Sequence, residues 1–341
     1  MINLRNDYCY IAHHKVLEKM LSLENEVNLG YGEDKHSKNA KRMILNLIDN
    51  PNSDVHFLMG GTITNKVFIS HALKPYEAAI SCDSGHINVH ETGTIEQSGH
   101  KILLVPNKDG KIEINSLKEI IASHNSCHMV KPRLVYISNP TEYGTIYSYK
   151  ELEEISSFCK ENNLIFFVDG ARLGAALTCE ENDISLKDLA RLTDAFYIGG
   201  TKNGAILSEA LVINNPSLNE EFRYSIKHYG GMYAKGFVSG IQFEALFEDD
   251  LFFEIARKQN KLAKVLTNGL KEMKVDLFVE SPTNQIFCIF KHEEAKRIME
   301  YIDCEIFLEK EDKIVLRFVV SYVTTKEDIG EALRIIKESL V

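Results

Sequence analysis

From about residue 40 the chain alternates helix-like segments with short β-branched or aromatic runs: HFLMGG, AAISC, KILLV, LVYIS, LIFFVDGA, AFYIGG and ALVIN. Strands separated by helical stretches cannot be joined as hairpins and require crossover connections. This implies a mostly parallel sheet buried on both faces, that is, an α/β fold with helices flanking the sheet. Such a sheet holds its ligand in the loops at the carboxyl ends of its strands. Gly61, Asp169 and Lys202 all fall at such ends.

After residue 246 the pattern changes to a long amphipathic segment at about 249–273, a strand QIFCIF, a helix HEEAKRIMEYI, strands EIFLE and KIVLRFVV, and a closing helix from about 325. The expected organisation is an N-terminal arm and large domain over 1–246 and a small C-terminal α+β domain over 247–341. With 341 residues and 44% apolar content, the chain can bury a large core in two unequal units. No internal repeat, low-complexity tract or Pro-rich linker separates them, so close packing is expected.

Composition narrows the partners. A formal charge of −10 with Lys and Arg spread along the chain offers no basic surface for nucleic acid. The N-terminus MINLRNDYCY lacks a signal pattern and no apolar run reaches the roughly 20 residues that span a bilayer, so a cytoplasmic protein without membrane contact is expected. Seven widely spaced cysteines with no CxxC pair fit reduced thiols.

The strongest motif is FFVDGARLGAAL, where a strand delivers Asp169 to a Gly-containing turn with Arg172 at its mouth. Its companion is AFYIGGTKNGAI, a strand ending in Gly199-Gly200, followed by Thr201, Lys202 and a second turn at Asn203-Gly204. Alone, each has a bland reading: strand-ending aspartates commonly form turns, and lysines are commonly solvated. Together they meet a chemical requirement, because a cofactor aldehyde needs a lysine amine to form an imine and a pyridine ring needs an anion at its nitrogen.

Two weaker segments join them. In HFLMGGTITNKVFISHAL a strand runs through Gly60-Gly61-Thr62 into a helix, whose N-terminal N–H groups suit a phosphate, although Gly-Gly turns usually only make the turn. SCDSGHINVHETG places His86, His90 and Glu91 after a strand, and His86 can stack on a ring and move protons. A metal alternative rests on His124, Cys127 and His128 at helical spacing, with no second cluster and Pro132 close by.

These segments, with LRND near the start, YGED at 31–34, SNPTEYGT at 138–145 and their common order, resemble the threonine aldolase and β-eliminating lyase family, within it the low-specificity L-threonine aldolases. The resemblance implies the aspartate aminotransferase fold, fold type I of the enzymes dependent on pyridoxal 5'-phosphate, with a large sheet domain and a small C-terminal domain. It makes Lys202 the lysine linked to the cofactor, Asp169 the partner of the pyridine nitrogen, and His86 the residue stacked on the ring. Arg172 lies near the cofactor's phenolic oxygen and the substrate carboxylate, Gly61 and Thr62 form the phosphate turn, Thr201 joins the cofactor set, and Arg317 in VLRFVV binds the substrate carboxylate.

There are departures. Asn6 and Tyr8 stand where the commoner aldolases have Ser and Thr, and Ser321-Tyr322 stands for a Thr-His pair. In GGMYAKG, Tyr233 replaces an arginine that reaches a neighbour's phosphate, a charge that Lys235 is expected to supply. Asn6 and Tyr31 join the expected substrate contacts.

The implied reaction is cleavage of Cα–Cβ in a small β-hydroxy amino acid, threonine or allo-threonine giving glycine and acetaldehyde, with His86 or a water it orients taking the hydroxyl proton. β-Elimination, aryl-serine cleavage and transamination would use the same lysine and aspartate, and an idle binding protein on the same fold is the non-enzyme alternative. The resemblance further implies a homodimer or homotetramer whose sites are completed by Tyr31 or Lys235 of a neighbour.

Overall fold

The computed structural model describes residues 1–340. Its main sheet has seven strands: β1 (Asp54–Leu58), β2 (Glu77–Cys82), β3 (Ile102–Val105), β4 (Lys131–Ser138), β5 (Ile165–Asp169), β6 (Ala195–Gly199) and β7 (Glu209–Ile213). They lie in the order β1-β7-β6-β5-β4-β2-β3. From β6 to β3 every pairing is parallel, and β7 runs antiparallel to both β6 and β1. Every residue of β2, β5, β6 and β7 is buried, the near-continuous apolar run expected of strands covered on both faces.

One face packs a core that includes Ile44, Phe166, Val168, Phe196, Ile198 and Phe252, and the other a core that includes Phe68, Tyr136, Phe167, Tyr197 and Phe222. Because β1, β5 and β6 point the same way, Asp169, which closes β5, and Gly61 and Lys202, which follow β1 and β6, lie at one edge of the sheet. The crossover helices start where the sequence satisfies their free N–H groups. Ser148 and Glu151 close a capping box at Tyr149–Glu161, and Ser185 and Asp188 do so at Leu186–Leu192.

A second, antiparallel sheet comprises β8 (Leu277–Val279), β9 (Gln285–Phe290), β10 (Glu305–Glu309) and β11 (Ile314–Val319), in the order β8-β9-β11-β10. The helix Leu251–Glu272 joins the two halves physically: Leu251, Phe252 and Ile255 enter the first core, while Leu262, Leu266 and Leu270 enter a third core with Ile286, Leu316 and Phe318. The chain start belongs to that third core too, since Ile2–Asn3 pairs in parallel with Ile302–Asp303 and Leu4 is fully buried there. We propose residues 1–246 and 247–341 as the two functional units, with this helix and the N-terminal strand as their links. Among the described residues no helix is long and apolar enough to cross a membrane, and all seven cysteines are free.

Candidate active site

A cavity of about 340 Å³ opens where the sheet edge meets β10 and β11, and its wall includes Tyr8, His86, Glu142, Asp169, Arg172, Lys202, Glu305 and Arg317. A larger cavity of about 680 Å³ between the 108–115 and 145–155 segments and residues 280–282 contains none of these groups.

Asp169 is the last residue of β5 and is 3% exposed. Its Oδ1 accepts from the Tyr197 hydroxyl at 2.5 Å and from the Ala171 N–H at 3.0 Å, while Oδ2 accepts from the Tyr136 hydroxyl at 2.6 Å and Asn65 Nδ2 at 3.0 Å. Burial is the strongest influence and opposes the charge, but His86 and the Tyr136, Tyr197 and Asn65 donors outweigh it and hold the carboxyl below its ordinary range. Asp169 is therefore an anion at neutral pH.

Lys202 sits in the short 3₁₀ turn Thr201–Asn203 that follows β6. Among the described residues its amine has no hydrogen bond or ion pair, and its nearest aromatic partner is the Tyr8 ring, 5.8 Å from Nζ. Burial and the neighbouring Arg172 charge push the amine down to about 8, against the opposing pull of Asp7, Asp169 and Glu209. Glu209 lies beneath the turn: its Oε2 accepts the Gly200 N–H at 2.9 Å, and burial pushes its carboxyl up. Thr201, whose hydroxyl accepts the Ser208 N–H at 3.1 Å, helps fix the same turn.

The cavity also holds two guanidinium groups. Arg172 is gripped by Asp7 in a two-point ion pair at 2.7 and 2.9 Å, and Asp7 accepts from Asn284 Nδ2 at 2.9 Å as well. Arg317, on β11, donates to Glu305 on β10, and its Nε is buried with no partner among the described residues. Burial and the Arg172 charge push Arg317 below its ordinary value, against Glu305 and Asp7. Both guanidinium groups line the one cavity, and a guanidinium fork is suited to a carboxylate.

His86 begins the turn His86–Val89, with Nδ1 2.9 Å from Glu91 Oε1. Glu91, whose side chain is fully buried, also accepts from Asn65 Nδ2 at 2.8 Å and the Thr94 hydroxyl at 3.0 Å. One buried carboxylate thus ties His86 to the asparagine that holds Asp169.

Other expected contacts lie off this cavity's wall. Asn6 is buried, and its Oδ1 accepts from the Tyr8 N–H at 3.1 Å and Cys9 Sγ at 3.0 Å, so it shapes the turn that carries Tyr8 into the cavity. Gly61 and Thr62 open the helix Gly61–Ala72, which carries Asn65. Tyr31 is 46% exposed on a separate small cavity with Arg223 and Gly231, and Lys235 is exposed nearby in sequence to Tyr233, whose hydroxyl bonds Ser239. Ser321 is held by Thr324, and the Tyr322 ring packs near Tyr10 and His13. His124 bonds the Ile120 carbonyl at a helix end, Cys127 is exposed, and no group of three metal-binding side chains converges among the described residues.

This arrangement has relatives. The family model described as beta-eliminating lyase matches residues 4–293. The chain belongs to that family. A low-specificity L-threonine aldolase from Pseudomonas aeruginosa is 30% identical over 263 residues, 75% of each chain, and one from Escherichia coli K12 is 25% identical over 342 residues, 97% of each. Among solved structures, a Leishmania major threonine aldolase superposes with a TM-score of 0.98 at 41% identity over the whole of both chains. A Thermus thermophilus aspartate aminotransferase, at 13% identity and a TM-score of 0.73, shares the fold, covering 99% of this chain and 91% of its own. The chain therefore has the fold type I architecture, whose enzymes depend on pyridoxal phosphate.

The residues present fit that cofactor. Among the described residues the chain offers an amine with no hydrogen-bonding or ionic partner and a buried anion facing the same cavity, which are the two groups the cofactor's aldehyde and ring nitrogen need. Residue type and spacing gave no role to Asp7, Glu142, Glu209 or Glu305. Asp7 and Glu142 lie within the LRND and SNPTEYGT segments, so their positions carried a signal that residue type alone did not turn into a role.

Proposed function

We propose that this chain cleaves the Cα–Cβ bond of small β-hydroxy amino acids, threonine and allo-threonine foremost, to glycine and an aldehyde. The observation that carries the reading is the Lys202 amine, free of hydrogen bonds and ion pairs among the described residues, on one cavity wall with Asp169, Arg172 and Arg317. The 41% identity to a threonine aldolase over the full chain supports the choice of reaction.

Bound pyridoxal phosphate supplies an aldehyde for an amine and a π-system that accepts the electron pair of a bond broken at the α-carbon. Lys202, with its amine pushed down to about 8, keeps a usable fraction of free base near neutral pH. Asp169 keeps a ring nitrogen protonated, Arg172 and Arg317 hold the substrate carboxylate, and His86 covers the ring as a donor anchored by Glu91. By holding the carboxylate, Arg172 and Arg317 would set which bond of the α-carbon is oriented for cleavage.

We further propose a homo-oligomer, because the arm exposes Ile11, Leu21, Val27 and Leu29 at 72%, 67%, 96% and 66%, more apolar surface than an isolated arm needs. On this reading Tyr31 and Lys235, exposed off the cavity, contribute to a neighbour's site. A cytoplasmic location fits the free cysteines.

The test is direct. Purified holoenzyme is expected to be yellow, to release aldehyde from threonine, allo-threonine or phenylserine, and to have its cofactor fixed to Lys202 by borohydride. The Lys202→Ala protein is expected to be colourless and inactive. Keto acid from cysteine or serine in place of aldehyde would assign β-elimination instead, and an unchanged yellow Lys202→Ala protein would overturn the lysine assignment.

A further inference from the structure

Aldol cleavage needs a base for the β-hydroxyl proton, and the cavity contains several titratable groups. His86 is badly suited. Its Nδ1 is taken up by Glu91 at 2.9 Å, and although burial disfavours its cation, the Glu91 hydrogen bond and the Asp169 charge outweigh this and hold the imidazole above its ordinary value, which favours the ring as a proton donor. The Tyr8 phenol is pushed up, chiefly by burial and Glu305, and keeps its proton. Glu305 is engaged by Arg317, Lys202 is committed to the cofactor, and His90 sits exposed at the rim.

Glu142 differs from all of these. Its Oε1 accepts the Ser138 hydroxyl at 2.6 Å and the backbone N–H of His86 at 3.0 Å, while Oε2 has no side-chain partner and the carboxylate no ion pair among the described residues. Burial is the main influence on it and, with the nearby Asp169 charge, raises it above its ordinary range against the Ser138 bond and the His86 charge, so it is a stronger base than an exposed glutamate.

The turn that carries Glu142 is clamped. The Gly144 N–H donates to the Thr141 carbonyl at 2.9 Å, and the Gly144 carbonyl accepts from both the Ser281 and Thr283 hydroxyls at 3.0 Å. A rigid mount of this kind is what proton transfer to a small substrate requires.

We propose that Glu142, not His86, takes the β-hydroxyl proton of the substrate. This rests on the aldolase reading. The proton passes from the Cβ hydroxyl to the Glu142 carboxylate, the O–H pair becomes the second C–O bond of the departing aldehyde, and the Cα–Cβ pair remains at Cα until a proton completes glycine. Glu142, now a carboxylic acid, returns its proton to solvent or to a carbonyl oxygen in the reverse reaction.

The experiment compares holoenzyme with its Glu142→Gln, Glu142→Asp and His90→Gln forms. Threonine cleavage is expected to fall about 100-fold or more in Glu142→Gln, the usual size of a lost acid–base group, and to recover in part in Glu142→Asp. The acid limb of kcat/KM against pH should vanish in Glu142→Gln and persist in His90→Gln. Exchange of the glycine α-proton with deuterated water involves no hydroxyl, so Glu142→Gln should retain it within a few-fold, with cofactor colour intact, which also shows that the variant is folded. Cleavage by Glu142→Gln within a few-fold of the parent, or loss of exchange in step with cleavage, would overturn the assignment, as would loss of the acid limb in His90→Gln alone. A parent enzyme that exchanges the glycine proton but releases no aldehyde would sink the aldolase reading itself.

Discussion

Asp7 and Arg172 form the most enclosed ion pair of the site, with side chains 1% and 13% exposed. An arginine cannot shed its proton, so removing the carboxylate leaves a buried charge with no counterion. Asp7→Asn is therefore expected to cost about 3–5 kcal/mol of stability, measured by urea unfolding, the range for breaking one partner out of a buried pair. The acid side of the stability profile follows from the same pair. Burial opposes the Asp7 charge, but Arg172, Lys202 and Asn284 outweigh it and hold the carboxyl below its ordinary 3.8. A group lowered on folding contributes stability above its unfolded pKa and loses it as pH falls through the folded one, so this contribution should fade below about pH 4, and the Asn variant should show a shallower acid limb. Lys202 and Asp169 were legible in the sequence because each ends an apolar strand beside a glycine turn. Asp7 was not, since its partner lies 165 positions away and only the fold brings them together.

The strand ends themselves are built around two close approaches. A Cβ added to Gly170 would lie 1.9 Å from the Tyr197 carbonyl oxygen, and one added to Gly199 would lie 2.2 Å from the Ala171 carbonyl oxygen. These backbones must touch for β5 and β6 to present Asp169 and Lys202 side by side, so Gly199→Ala should destabilise the protein by roughly 1–3 kcal/mol, the cost of overpacking, and weaken retention of the cofactor in a dialysis assay. A second element contact sets the alkaline side. His36, on the helix Lys35–Ile48, meets Glu244 of the helix Phe237–Phe247 at 2.5 Å and Glu26 at 2.7 Å; Lys19 and Asn39 also face Glu244, and Lys35 also faces Glu26. Burial works against its charge, but the two carboxylates raise it above its ordinary 6.5. A group raised on folding stabilises below its unfolded pKa and loses that contribution as pH rises through the folded one, so stability should decline above about pH 6.5, a decline that His36→Gln should abolish. Most of the elements were legible from their apolar runs. The reversal of β7 was not drawn, although the link between Gly199 and Glu209 is too short to hold a crossover helix and so favours an antiparallel return. The pairing of Ile2–Asn3 with Ile302–Asp303 involves segments too short for any periodicity to reveal.

At the scale of the molecule the site is a seam. Lys202, Asp169 and Arg172 come from the edge of the main sheet, Arg317 and Glu305 from the C-terminal sheet, and Tyr8 from the arm whose first residues pair with the C-terminal unit. The helix Leu251–Glu272 threads both cores, so the two sides have a shared support and the cavity between them needs only a ligand to bridge it. A carboxylate held by Arg172 on one side and Arg317 on the other would be that bridge. Binding to the folded state alone stabilises by about 2.7 kcal/mol when ligand stands at 100 times Kd. Thermal melting of the holoenzyme with and without saturating glycine should show a rise of that order. In Arg317→Gln the loss of one charged hydrogen-bonding partner, about 1.5–3 kcal/mol, should weaken glycine binding by roughly 10- to 150-fold. The rise at the same glycine concentration should then fall to about half or less. The cofactor colour should not change, because Arg317 belongs to the substrate side of the cavity. An equal rise in both proteins would mean that glycine binds without spanning the seam, and the carboxylate would then belong to Arg172 alone.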